Sequence, residues 1–192
     1  MIKDKIVRIA LVKLLKGSME DISLLYISEV TGLKIERLNE IFPSGNNEII
    51  MDAVEYAGKQ WIESIKEEIN NTEDTKIKVR ILSGGYALGS EEYPESLSVY
   101  IDLWKLIKDN KEPYIKERLK AIYLMYMQEF INIIKDICPV FVSEEELYAY
   151  SLFMTVLSDA IHIQSILLEN EVNYKAIKKV IEKISLNYFQ PK

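Results

Sequence analysis

Turn-forming residues are scarce in this chain, with seven glycines and five prolines among 192 residues. A β-rich protein of that length needs more of both, and the runs between breakers are long enough for helices of roughly three to seven turns. Cysteine is rarer still. The single Cys138 excludes an internal disulfide, and no secretory leader is evident at the N-terminus, so a reducing cytoplasm is the expected compartment. Histidine occurs once, as His162. It has no serine, cysteine or metal-ligand partner at motif spacing, and no glycine-rich phosphate loop follows a strand. No enzymatic activity, metal or cofactor is therefore expected. Uninterrupted apolar runs are missing as well: the longest, Leu147 to Leu168, is broken by Asp159, His162 and Gln164, which argues against a membrane span. An excess of positive charge is also lacking. The net charge of −6 excludes a protein that coats nucleic acid indiscriminately and leaves room only for local basic patches.

What remains is the composition of a soluble globular protein, 48% hydrophobic and 28% charged, and the expected class is all-α. Apolar residues at helical spacing predict a short basic first helix over Ile2 to Lys16. A long fourth helix follows the N-cap candidate Ser44 and ends near Asn70-Asn71. A fifth spans about Thr75 to Leu88. A sixth is opened by Pro94, and a seventh runs from Pro113 to Ile137 before Pro139. An eighth covers about Glu144 to Glu169 and a ninth Tyr174 to Phe189. Gly84 and Gly85 inside the fifth helix each cost roughly 1 kcal/mol relative to alanine. They call for an offset, either close approach of a neighbouring helix or a break beside a ligand cavity. On the eighth helix Ser151, Thr155, Ser158, Asp159, His162, Ser165 and Glu169 share a stripe, read either as a hydrated or partner-facing strip or as part of a cavity wall. The apolar surface of the last two helices suggests burial against a second subunit.

The stretch Ile22 to Phe42, ISLLYISEVTGLKIERLNEIF, has the pattern of a helix-turn-helix. Ser23 is placed to cap its first helix. Ser28 is small where the second helix crosses, and Gly32 suits a left-handed turn. Leu33, Leu38 and Ile41 supply the apolar positions beyond the turn, and Pro43 stops the second helix.

These residues carry a resemblance to the tetracycline-repressor-like (TetR) family of bacterial regulators. ISLLYISEVTGLKIERLNEIFPS resembles that family's head motif, PYIKERLKAIYLMYMQEF its central body helix, and VLSDAIHIQSILLE its dimer-forming penultimate helix. The resemblance implies about nine helices: a three-helix DNA-binding head over 1–45 and an effector-binding and dimerisation body over 46–192, with the helix 46–70 connecting them. It implies a homodimeric repressor, released from a double-stranded operator by a small, largely apolar effector. The two heads would enter successive major grooves about 34 Å apart. Head residues expected at the DNA are Ser23, Lys34, Ile35, Glu36, Arg37, Asn39, Glu40 and Ser44. Arg37 is suited to guanine, Asn39 to adenine and the acids to cytosine. Effector candidates are Tyr86, Tyr100, Trp104, Tyr123, Met127, Phe130, Met154 and His162. The expected dimer contacts are Leu157, Ala160, Ile161, Gln164, Ile177, Ile181 and Ile184.

The head also departs from the family pattern. Lys34 stands where a serine is usual, Asn39 where a tyrosine is, and Gly45 where a lysine is, and the last two changes remove phosphate ligands. Residues 20–56 carry only Lys34 and Arg37 against eight acids, whereas residues 1–19 carry five lysines and arginines against Asp4. A second reading therefore stays open: a TetR-like protein whose head no longer binds an operator by itself and which acts as a ligand- or protein-binding co-regulator.

Overall fold

The structure, a computed structural model, describes residues 2–17, 19–88, 96–108, 113–138, 143–168 and 171–189. Side chains of residues 88, 96–101 and 165–167 are not described. Among the described residues the chain is all-helical, with nine α-helices and one short 3-10 helix. They are α1 (Ile2–Leu14), α2 (Leu24–Thr31), α3 (Ile35–Ile41), α4 (Asn46–Asn70), α5 (Thr75–Leu88), α6 (Ser96–Lys108), α7 (Pro113–Ile137), α8 (Glu144–Leu168) and α9 (Tyr174–Phe189). The 3-10 turn, Met19–Asp21, follows α1, which ends two residues earlier than the apolar spacing suggests.

Short polar residues set the starts of the helices by bonding amides that have no intrahelical acceptor. The Ser23 hydroxyl accepts from the Tyr26 amide at 3.0 Å to open α2. Asp74 accepts from the amides of Lys76 and Ile77 to open α5. Ser143 and Glu146 bond each other's amides reciprocally at the start of α8. Asn173 accepts from the Ala176 amide to open α9. At α4 the expectation fails. The helix begins at Asn46, and Ser44 contributes no side-chain cap; its amide instead donates to the Glu48 carboxylate at 3.0 Å. Pro113 is the first residue of α7, where its missing N–H is harmless. Pro94 and Pro139 lie outside the described residues.

The chain divides into two compact units. One comprises Met1–Lys59 and Tyr93–Ile122, the other Gln60–Glu92 and Tyr123–Lys192, so the divisions fall inside α4 and α7. The first unit thus extends past residue 45, because α6 and the start of α7 pack with it. Ile6, Ala10, Ile27, Leu38, Phe42, Ile49, Met51, Leu103 and Ile115 are fully enclosed there. Its charges also join elements. Lys3 on α1 lies 3.2 Å from Glu48 and 2.9 Å from Asp52 on α4, and Arg118 on α7 lies 2.8 Å from both Asp52 and Glu55.

In the second unit α5 packs against α8 and α9. Gly84 and Gly85 are offset by close approach. A methyl on Gly84 would come within 2.9 Å of the Lys178 side chain on α9, and one on Gly85 within 3.1 Å of Ile65 on α4. The interior is aromatic. Tyr86 sits with its ring centroid 4.7 Å from Phe130 and 5.3 Å from Trp61, and Tyr150 stacks on Tyr188 at 4.7 Å.

Candidate functional site

The head is built from the turn outward. Gly32 ends α2 with φ at 72°, a left-handed conformation that a side chain would strain, and its amide bonds the Ser28 carbonyl at 2.8 Å. The Ser28 hydroxyl then donates to the Leu33 carbonyl at 2.6 Å, which pins the turn to the helix it leaves. Ile27 and Leu38, both fully buried, bring α2 and α3 together. The Leu24 amide donates to the Asn46 side chain at 2.8 Å, tying the start of α2 to the start of α4. These contacts give the backbone plan of a helix-turn-helix.

One side of α3 is left to solvent. Lys34, Ile35, Glu36, Arg37, Asn39 and Glu40 are all exposed. Ser23 is half-buried and occupied as a cap, and Ser44 is exposed. Arg37 is engaged, its guanidinium donating to the Glu40 carboxylate one turn along. Lys34 precedes α3 without a side-chain cap bond, so the first amides of that helix have no side-chain acceptor from it. The basic character of α1 is partly spent within the fold. Lys3 turns to Glu48 and Asp52, Arg8 lies 5.5 Å from the Tyr56 ring centre, and Lys13 lies 5.6 Å from that of Tyr26.

The effector candidates divide. Tyr86, Met127, Phe130 and Met154 are buried in the second unit, and Tyr123 and His162 are half-buried there. Trp104 belongs to the first unit, where Leu103 is the fully buried residue among the described side chains of α6, and the side chain of Tyr100 lies outside the described residues.

The polar stripe of α8 is neither hydrated nor exposed along its first two turns. Ser151 and Thr155 are buried. Ser151 donates to the Met127 carbonyl at 3.1 Å, and the Thr155 hydroxyl meets that of Tyr86 at 3.0 Å. Burial pushes the Tyr86 phenol up to about 12, so it stays neutral. One turn beyond Thr155, the Tyr123 hydroxyl faces both oxygens of Asp159 at 3.1 Å. Burial pushes the Asp159 carboxyl up to about 6 against the lowering effect of that bond. Ser158 contacts His162 at 3.4 Å; Ser165's side chain and Glu169 lie outside the described residues.

Trp61 and Tyr126 were not among the effector candidates, and Asp159 entered only as one member of the α8 stripe. Trp61 lies 5.6 Å from Tyr126 edge to face, and its buried indole N–H has no hydrogen-bond acceptor among the described residues. The signal for Asp159 was present as an acid interrupting an apolar helix. Its significance depends on Tyr123, 36 residues away in sequence.

The dimer candidates need correction at two positions. Ile161 and Ile181 are only 8% and 3% exposed and belong to the interior of this chain, so they offer no surface to a partner. Leu157 and Ile177 are half-buried, whereas Ala160, Gln164 and Ile184 are exposed. The large apolar residues that face outward include Leu152, Phe153, Val156, Ile163 and Leu168 on α8, with Val180 and Ile184 on α9. Among the described residues no helix is long and apolar enough to cross a membrane, and no group of three or more His, Cys, Asp or Glu side chains is placed to hold a metal ion.

Compared by sequence, the chain matches no protein-family model and no curated protein. Compared by structure, it shares its fold over nearly its whole length with solved bacterial proteins. One is a candidate transcriptional regulator from Saccharomonospora viridis in complex with choline, with TM-score 0.63, 12% identity, and coverage of 95% of this chain and 94% of that one. Another is a transcriptional regulator from Rhodococcus sp. Rha1, with TM-score 0.65, 9% identity, and coverage of 98% and 96%. At these identities the likeness is one of fold.

Proposed function

We propose that the chain is a TetR-like homodimeric transcriptional regulator without enzymatic activity, a cytoplasmic repressor that leaves its operator when a small, largely apolar ligand binds. The observation that carries this reading is the head. The turn at Gly32 is pinned by Ser28, Ile27 and Leu38 hold α2 and α3 together, and a row of exposed side chains from Lys34 to Glu40 is left on the second helix. Residues 1–45 serve as the DNA-binding head and 46–192 as the effector-binding and dimerising body. Full-length likeness to regulators, one of them bound to choline, supports this division of labour. The exposed apolar residues of α8 and α9 are the surface on which a second copy is expected to dock.

The test is fluorescence anisotropy with DNA from upstream of the chain's own gene, against a scrambled duplex at physiological salt. Specific binding below about 1 µM, weakened by Arg37→Ala at one base position of each half-site, is the expected result. Sedimentation should give a dimer, and Val156→Glu should split it.

One observation favours the second reading. Arg37 is already matched by Glu40 and Lys3 by Glu48 and Asp52, which leaves few cations free for phosphates. If no duplex binds even at low salt, the chain is a ligand- or protein-binding co-regulator with a head that no longer binds an operator alone.

A further inference from the structure

The Asp159 carboxylate has room for about four hydrogen bonds. Among the described residues it receives one, from the single proton of the Tyr123 hydroxyl shared between its two oxygens. It is half-buried, and no Lys, Arg or His among those residues forms an ion pair with it. By contrast the half-buried Glu48, Asp52, Glu55 and Glu129 each face a lysine or arginine within 3.2 Å. A carboxylate withdrawn from water without a counter-charge is raised toward protonation, and this one lies at about 6, still ionised at neutral pH.

Its surroundings specify the kind of counter-charge. A metal ion would need several oxygen or nitrogen ligands, and no group of three is placed to hold one among the described residues. Next to Asp159 on α7 is the Tyr123 ring. One turn back on α8, Thr155 bonds Tyr86, whose ring adjoins Trp61 and Phe130, with Tyr126 against Trp61. A carboxylate without a cationic partner among the described residues, met by the Tyr123 phenol and one turn from the Thr155 that holds the Tyr86 ring, suits a weakly hydrated ammonium on an apolar body, which both aromatic rings and a carboxylate attract.

We propose that Asp159, with Tyr123 and the Trp61–Tyr86–Tyr126–Phe130 cluster, binds a small organic cation, and that this is the chemical class of the effector. The assignment rests on the reading that the body holds an effector, and it narrows that effector from apolar to apolar with one positive charge.

The probe is benzyltrimethylammonium, with benzyl alcohol as the uncharged control. Binding is read at pH 7.5 by Trp61 fluorescence in a Trp104→Phe background and by the melting temperature. The cation is expected to bind and the alcohol to bind much more weakly. Asp159→Asn should weaken the cation on the order of ten- to a hundredfold and leave the alcohol unchanged, whereas Tyr123→Phe, which keeps the charge, should retain cation binding. If Asp159→Asn does not fold, the parent protein supplies the same test. Between pH 7.5 and 5 affinity should fall as the carboxylate protonates. His162 is replaced by Gln in that experiment because imidazoles as a class change charge in this range, and the neighbouring Tyr86, raised by burial to about 12, stays neutral. Equal binding of cation and alcohol, unchanged binding in Asp159→Asn, a flat pH response, or no cation binding overturns the proposal. Operator binding is scored separately. Release from DNA by a neutral compound alone leaves the regulator reading standing and removes this one, and Asp159-dependent cation binding without DNA binding does the reverse.

Discussion

The half-buried acids of the first unit and Asp159 in the second are treated in opposite ways, although Glu129, also in the second unit, is matched by Lys66 at 2.8 Å. In the first, Asp52 lies 2.9 Å from Lys3 and 2.8 Å from Arg118, and Arg118 also reaches Glu55 and the Tyr114 hydroxyl. Burial pulls the Glu55 carboxyl up, but the bonds from Lys59 and Arg118 outweigh it and hold the group below its ordinary value. In the second, burial pushes Asp159 up to about 6, and among the described residues the phenol of Tyr123 is the group that answers it. Burial is the largest contribution at both Glu55 and Asp159, and at Glu55 the bonds from Lys59 and Arg118 outweigh it. Charge in the first unit joins α1, α4 and α7; among the described residues the charge at Asp159 joins nothing cationic.

The largest expected effect comes from breaking the first pattern. Arg118→Ala leaves Asp52 and Glu55 partly desolvated with only Lys3 and Lys59 to answer them. Urea unfolding should show a loss of about 2 kcal/mol, below the full value of a buried pair because the groups retain some solvent. Arg118→Lys should recover part of it, since one ammonium cannot reproduce a guanidinium that donates to two acids and a phenol. A loss under about 0.5 kcal/mol would mean that the network is worth no more than a surface pair.

Asp159→Asn tests the other side with the opposite sign. A carboxyl whose folded pKa is raised, here from 3.8 to about 6, gives stability that is present below the unfolded value and lost as pH rises through the folded one. At pH 7.5 the Asn variant should therefore melt above the parent, by about 2–4 °C for each kcal/mol of relieved charge burial. Near pH 4 the two should coincide. A variant that gains stability while losing cation affinity would separate a functional acid from a structural one. Melting below the parent at pH 7.5 would place Asp159 with the structural acids of the first unit.

Lys34→Ser asks whether every charge in the first unit is structural. Lys34 precedes α3 with no side-chain cap bond, and a cation there also opposes the helix dipole. Serine should cap the helix and raise stability by about 0.5–1 kcal/mol in urea unfolding. Weaker DNA binding in the same variant would identify Lys34 as a phosphate contact rather than a strut.

Local signals made the helices legible. Ser23, Gly32 and Pro113 act within a few residues of themselves, so α2 and the start of α7 could be bounded from the sequence. The helix-turn-helix was legible for the same reason. Ile161 and Ile181 were not legible as interior residues, because apolar spacing gives a helix its greasy side without saying whether this chain or another covers it. The Arg118 bonds to Asp52 and Glu55 span 66 and 63 residues, so no window reveals them. Lys3 illustrates the consequence: on α1 it reads as part of a basic face, yet in the fold it is turned to α4. The α8 stripe was visible as a pattern, but its division into buried hydroxyls and one unpaired carboxylate depends on what α5 and α7 place opposite it.

The smallest expected effect sharpens the comparison at the level of packing. In the second unit α5 is brought close to its neighbours by small residues rather than by ion pairs, and the two adjacent glycines do not carry equal weight. A methyl at Gly84 would meet the outer part of the Lys178 side chain at 2.9 Å, and an exposed lysine can swing aside. Gly84→Ala should then keep most of alanine's helical advantage and stabilise the chain by about 0.5 kcal/mol. A methyl at Gly85 would press on Ile65, 5% exposed and held on α4, at 3.1 and 3.2 Å. There the strain of shifting a packed isoleucine offsets the propensity gain, and Gly85→Ala should come out near zero or destabilising. Paired urea titrations in which Gly84→Ala is the more stable variant would show that Gly85 sets the spacing between α4 and α5. The reverse order would move that role to the contact of α5 with α9.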